Sequence, residues 1–485
     1  MSAPSCLRCL VRPSAGVTVS SLPRSSPLAV ARAAPFSTTT ANLRPKKEVQ
    51  TGGAPKGHVR SGKMLQLGKF KKGKAGDRGR TPAPGERKAY RKRITLSNDN
   101  AIPVPWLTDL GPADLANPAN TARIMALPTE VQDQLRASEA FKPTQCWGMF
   151  RKPAVLVRKE TIDMANRMQN AADKRHTLRL VVSGDKLTGK SLMVLQAMAH
   201  AHLNNWVVIH IPEVQELTTA CTEYAPIPNT DPVQYMQPVY VLKLLQAIRR
   251  ANEGVLSKIL TVSAHPELSQ SMPPNTPLLA LAGAAKEPDA AWPVFQALWS
   301  ELTAQGANRP PILLSADGLA HMMKVSDYRS PAFDLIHSHD LALVRLFADA
   351  LGGGLRLPSG GAVIAATTRS NAPRTPSMEL ALAQREAEAN KGLGGPSSSG
   401  AVEVPQRDPF FRGYDDRVEA VLRSVQVLRV RGVDKLEARA LMEYWAASGM
   451  LRATVDEKAV TEKWALSGGG VPGEMERAAL LTARI

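Results

Sequence analysis

Residues 184–191 read GDKLTGKS, and their flanks are as informative as the pattern. The apolar run LRLVVS precedes the loop and LMVLQAMAHAH follows it, so the loop joins a strand-like segment to a helix-like one. Glycines at 184 and 189 let the backbone curl until successive N–H groups face inward, and the helix N-terminus adds its partial positive charge. That is a cradle for phosphate. Within it Lys190 would reach the outer phosphates as a mobile point charge, and the Ser191 hydroxyl would complete a Mg²⁺ shell. The nucleotide-binding segment is therefore expected to comprise Gly184, Asp185, Lys186, Leu187, Thr188, Gly189, Lys190, Ser191 and Leu192.

The surrounding pattern predicts an α/β fold with a parallel sheet. Strands are expected at RLVVSG, WVVIHI (206–211), PPILLSADG (310–318) and GAVIAATTRS (361–370). Between them the periodicity predicts helices from Lys190 to about Asn204, over 234–253, near 292–304 and over 341–353. Residues 177–370 are thus expected to form a P-loop core, preceded over 94–176 by loops and helical stretches around 119–138 and 160–173.

Asp317 ends the third strand, where a carboxylate would hold Mg²⁺ through a water, and Thr367 or Thr368 at the end of the fourth would face the outer phosphate. Hydrolysis needs one more part, a group that activates the attacking water. A Glu often follows the metal-side Asp in such hydrolases, but here Gly318 stands in its place and no carboxylate occurs before Val325. Arg369 and Arg374 are candidate charge stabilisers. Nucleotide binding is expected, no catalytic residue is assigned, and efficient turnover is not expected.

Charge is distributed unevenly. The chain carries a net +18, and residues 1–93 alone hold 21 Lys/Arg against three acids, which leaves the other 392 residues neutral. Residues 1–43 contain Arg8, Arg12, Arg24 and Arg32 and no acid, the composition of a mitochondrial transit peptide. Matrix localisation is the expected consequence. Residues 44–93 hold 17 Lys/Arg against three acids, spaced by Gly and Pro, with Phe70 and Tyr90 interleaved. Such a segment is too polar to bury a core of its own, and it suits threading along RNA phosphates with aromatics stacked on bases. The expected RNA contacts are Lys69, Lys71, Lys72, Lys74, Arg78, Arg80, Arg87, Lys88, Arg91, Lys92 and Arg93. No run of eighteen apolar residues occurs, so no membrane-spanning helix is expected.

Residues 371–407 are rich in Gly, Ser and Pro and read as a flexible linker. Over 408–485, RVEAVLRSVQVLRV and KLEARALMEYWAASG read as amphipathic helices, KWALS as strand-like, and the whole as a small helical or winged-helix domain.

Together, the import-type N-terminus, GDKLTGKS after LRLVVS, the strand PPILLSADG and the block EARALMEYWAASGMLR…EKWALSGGGVPGEMERAAL resemble the mitochondrial small-ribosomal-subunit protein S29 family. Its animal member is called death-associated protein. The resemblance spans roughly 140–485 and is nearest to fungal members. It implies an AAA-like core in the head of the small mitoribosomal subunit, binding GTP or GDP with Mg²⁺ and turning it over little. ATP is not excluded, because a phosphate loop never touches the base. Implied partners are small-subunit rRNA, neighbouring small-subunit proteins, and large-subunit proteins at an intersubunit bridge. The residues leave a second reading open, an active mitochondrial AAA-type hydrolase acting on RNA or protein. The AAA class often has Gly where Leu187 stands; a positive φ there would strain Leu by about 1 kcal/mol.

Overall fold

A computed structural model describes residues 94–306, 308–369, 372–393 and 404–481. The import-type leader and every expected RNA-contacting residue from Lys69 to Arg93 lie outside these residues.

Five strands form the central sheet: β1 (Thr177–Gly184), β2 (Val207–Ile211), β3 (Ile312–Asp317), β4 (Gly361–Ala366) and β5 (Gln426–Val430). Their order is β5-β1-β4-β3-β2 and every pairing is parallel. All strands therefore end at the same edge, and β4 lies between the strand that leads into the phosphate loop and the strand that carries Asp317. In such open sheets ligands gather at the carboxyl edge, near the point where strand order reverses.

The period-two alternation of the strands splits their side chains between two cores. Val181, Ile209, Leu314, Ala316, Val363 and Ala365 enter one; Leu180, Val182, Val208, Leu313, Ile364 and Leu428 enter the other. Helices cover both faces, which is why the strands read as continuous apolar runs. The second core packs against α1 (Thr129–Ala137), α2 (Lys159–Asp173) and α3 (Lys190–Leu203). The first packs against α4 (Pro238–Ala251), α5 (Ala291–Leu302) and α6 (Ala342–Gly352).

Four expectations need correction. The linker read over 371–407 contains an eighteen-residue helix, α7 (Pro376–Leu393), whose Met378, Ala381 and Leu382 are buried in the first core. Its alanines and glutamates favour helix, and this outweighs the Gly and Ser composition of its neighbours. The stretch 417–430 is not one helix: α8 (Asp416–Leu422) stops, and QVLRV becomes β5. That run is rich in β-branched residues, and the open edge of β1 was free to accept it. KWALS belongs to a helix, α10 (Glu457–Leu466), behind α9 (Lys435–Ala447). Further upstream, only Thr129–Ala137 of the stretch expected around 119–138 is α-helical, and Ile124–Ala126 pairs instead with Ala154–Leu156.

The C-terminal region has its own core of Val433, Met442, Tyr444, Trp445, Val460 and Met475, joined by Ile124 and Phe150 from upstream. Tyr444 and Trp445 are thus packing residues. Among the described residues no helix is long and apolar enough to cross a membrane.

Candidate functional site

The loop between β1 and α3 has the backbone that its sequence demands. Gly184 has φ +152°, and a Cβ there would lie 2.3 Å from the Val430 carbonyl oxygen, at the end of β5. The first loop glycine is therefore required by the neighbouring strand as well as by the turn. Leu187 has φ +63°, so the strain expected from its departure from glycine is present. One contact compensates it: the Gly473 N–H donates to the Leu187 carbonyl at 3.2 Å. Position 473 must stay small, because a Cβ there would come within 2.9 Å of the Leu187 Cβ. The particular C-terminal block VPGEMERA thus sits directly on the loop.

Lys190 is nearly buried, and its Nζ donates to the Gly184 carbonyl at 2.9 Å and the Asp185 carbonyl at 2.5 Å. Burial pushes its pKa down to about 8; the nearby Arg369 guanidinium adds to the depression, while Asp185 and Asp317 oppose it. Arg369, exposed, lies just past the end of β4, near enough for its charge to act on Lys190. Thr188 is buried and its hydroxyl donates to the Asp185 carbonyl, bracing the loop from within. Ser191 is half-buried in the first turn of α3, and Leu192 follows it against the second core. Asp185 and Lys186 are exposed, and Lys186 faces a cleft of about 600 Å³ shared with Ser467, Val471, Glu474 and Arg477.

At the sheet edge, Thr367 is buried and donates its hydroxyl to the Val182 carbonyl at 3.2 Å. Thr368, half-buried, comes one residue further out. Asp317 is 5% exposed at the end of β3, level with Ala366. Its Oδ2 meets Lys142 Nζ as a close ion pair and receives no directed hydrogen bond from the described residues. Among those residues there is also no group of three or more His, Cys, Asp or Glu suited to a metal. The loop fits a polyphosphate; the carboxylate side of a Mg²⁺ site is engaged by a lysine.

Sequence reading missed three residues because long-range topology brings them in. Lys142 lies 175 positions before its partner. Glu213 follows β2, whose Ile211 is level with Ala316 of β3, and it lines a cavity of about 520 Å³ together with Lys142. Arg158, at the start of α2, is buried. Its guanidinium donates to the Thr188 carbonyl (3.0 Å) in the loop and to the Arg431 (2.8 Å) and Gly432 (3.3 Å) carbonyls after β5. Its Nε faces buried Glu437 at 3.7 Å.

The chain matches the family model described as mitochondrial ribosomal death-associated protein 3 over residues 155–478. It is 57% identical to the small ribosomal subunit protein mS29 of Neurospora crassa over 485 residues, the whole of both chains. It is 26% identical to mS29 of Mus musculus over 111 residues, which is 23% of this chain and 28% of the mouse protein. The Walker-type ATPase PABY2304 of Pyrococcus abyssi aligns with 65% of this chain and 66% of its own at 16% identity, with a TM-score of 0.32.

Replacing Arg158 by Met should leave the Glu437 charge without its cation and three carbonyls without their donor, and destabilise the fold by about 3 kcal/mol in urea unfolding. Adding Glu437→Gln should recover about 1 kcal/mol of that loss by removing the stranded charge. Strict additivity of the two changes would show that the pair is not coupled.

Proposed function

Because this chain belongs to the mitochondrial ribosomal death-associated protein 3 family, we propose that it is a structural constituent of the small subunit of the mitochondrial ribosome, in the matrix. The observation that carries this reading is the 57% identity with the Neurospora protein along the full length of both chains. Its neighbours would be small-subunit rRNA and small-subunit proteins, together with large-subunit proteins where the subunits bridge. The basic segment 44–93 would supply the RNA contact, since residues 94–485 carry no excess charge.

Within that setting the loop at 184–192 would hold GTP or GDP in an AAA-like core. The paired cations Lys190 and Arg369 support this, since a polyphosphate between them would relieve their mutual repulsion and restore the lowered pKa of Lys190. A Mg²⁺ ion would arrive on the nucleotide phosphates with Ser191 as its single protein ligand, and would add little to the affinity. Thr367 or Thr368, at the end of β4, is the proposed contact to the outer phosphate, and Thr367 would have to release the hydrogen bond that it donates to the Val182 carbonyl.

One observation favours the hydrolase as a second reading. Glu213 places a carboxylate beside the Asp317 strand from the neighbouring one, a position that sequence order alone does not reveal. Glu213→Gln separates the two readings through the nucleotide recovered from purified protein. A holder should yield the same nucleotide with or without the change. A shift from GDP to GTP would make Glu213 a hydrolytic residue.

Sedimentation of the tagged chain on a gradient at low and high salt tests the ribosomal role. Migration with the small subunit at both salts is expected, and deletion of 44–93 should flatten the salt dependence of binding. Recovery in light fractions only would reject the assignment. Lys190→Ala should remove the bound nucleotide. In the native chain nucleotide affinity should stay level below about pH 8, where free Lys190 is already protonated, and fall above it, because binding must then restore a proton. A pH-independent affinity from 7 to about 9.5 would mean that Lys190 does not grip phosphate.

A further inference from the structure

The contact between Lys142 and Asp317 lies where a divalent ion would be expected, and three features make it a built position. Asp317 is nearly buried at the end of β3, so its charge cannot be left to solvent. Lys142 is pinned at its backbone: its N–H donates to Gln145 Oε1 at 2.9 Å, and the same oxygen accepts from Trp147 Nε1 at 2.6 Å. On either side of it, Phe141 and Trp147 are buried in the core and meet edge to face at 5.3 Å. The loop is anchored so that one lysine reaches the carboxylate.

From this we infer that Lys142 takes the place of the divalent cation at Asp317, so that the site holds its nucleotide without a metal at that carboxylate. The inference rests on the nucleotide reading above. A buried carboxylate facing a diphosphate repels it unless a cation stands between them. A free ion fills that role only when it is bound, and its loss releases the ligand. A lysine anchored by its own loop is always present at fixed effective concentration, and it is monovalent, so it neutralises Asp317 without bridging several phosphate oxygens. Such a site holds nucleotide steadily and lends little extra polarisation to the phosphates, which fits a binding role better than turnover.

The test uses N-methylanthraniloyl-GDP titrated by fluorescence into the purified full-length chain, in excess Mg²⁺ and in EDTA. The native protein and Lys142→Arg should change affinity by less than about threefold between the two conditions. Lys142→Met should lose about tenfold or more in EDTA and recover when Mg²⁺ returns, since its uncovered Asp317 then needs the ion. The double change Lys142→Met with Asp317→Asn should again be indifferent to EDTA, which guards against a folding defect in the single variant. Mn²⁺ followed by EPR gives an independent readout: the GDP complex of Lys142→Met should bind Mn²⁺ about tenfold more tightly than the native complex. If the native chain loses nucleotide in EDTA as strongly as Lys142→Met, Asp317 belongs to a metal and the inference is overturned. Equal weakening of Lys142→Met in both conditions would also overturn it, making Lys142 a plain structural pair. Absence of binding by the native chain in either condition would instead remove the nucleotide reading itself, and this inference with it.

Discussion

Arg158 is the one interaction on which the arrangement around the loop depends. A buried guanidinium is tolerable only when it is well partnered, and here its hydrogen-bond acceptors are Thr188 in the loop, Arg431 and Gly432 after the last strand and Glu160 in α2, while Glu437 in α9 faces the Nε as an ion pair at 3.7 Å. Removing the cation would leave the buried Glu437 charge without its partner at a cost of several kcal/mol, so the loop and the C-terminal region hold their places together. Gly432 in turn accepts no Cβ, because one would lie 2.4 Å from the Gly469 oxygen, and Gly468, Gly469 and Gly470 all have positive φ. The triple glycine of the C-terminal block is thus the far end of the same clamp. Against this, the strain at Leu187, about 1 kcal/mol, is small. A single hydrogen bond from Gly473 is of the same order.

Electrostatically the site is local. Residues 94–485 balance 40 basic against 40 acidic side chains, so no broad positive field surrounds the loop. Lys190 is nearly buried and cannot relax into solvent, and this would make the mouth of the loop receptive to phosphate. Long-range attraction to RNA would then come from the N-terminal 93 residues alone. Two polyanions would be recognised by two different mechanisms, one by a rigid pocket and one by a basic strand.

Much of this could be read in the sequence where the signal was local. GDKLTGKS carries its own turn chemistry, and the four runs that became β1 to β4 are apolar because both faces of the sheet are covered. The positive φ at Leu187 could be anticipated because loops of this pattern often carry a glycine there. Illegible were the features set by tertiary pairing. Nothing in QVLRV says that it will join β1 across 240 residues, since a short apolar run fits helix or strand equally. Lys142 and Arg158 look like any surface cation until the fold buries their partners. Glu213 escaped because the search for a carboxylate followed the chain past Asp317, whereas the sheet places one on the neighbouring strand.

The same clamp bears on why such a site would hold nucleotide rather than cycle it. Nucleotide hydrolases with a covering C-terminal domain depend on that domain moving, to admit substrate and release product. Here the region over the loop is fastened by Arg158 to Glu437 and by Gly473 to Leu187, and it is braced within itself by Trp464, which donates to the Val433 carbonyl at 2.8 Å. Opening it would break a buried ion pair and several hydrogen bonds together, a barrier that slows exchange whatever the chemistry at the phosphates. A ligand bound to the folded state alone adds to stability, by about 4 kcal/mol at a thousand times its dissociation constant. With release slow and the ligand abundant, the nucleotide would act as part of the core between sheet and C-terminal region, which is what a structural constituent requires of it.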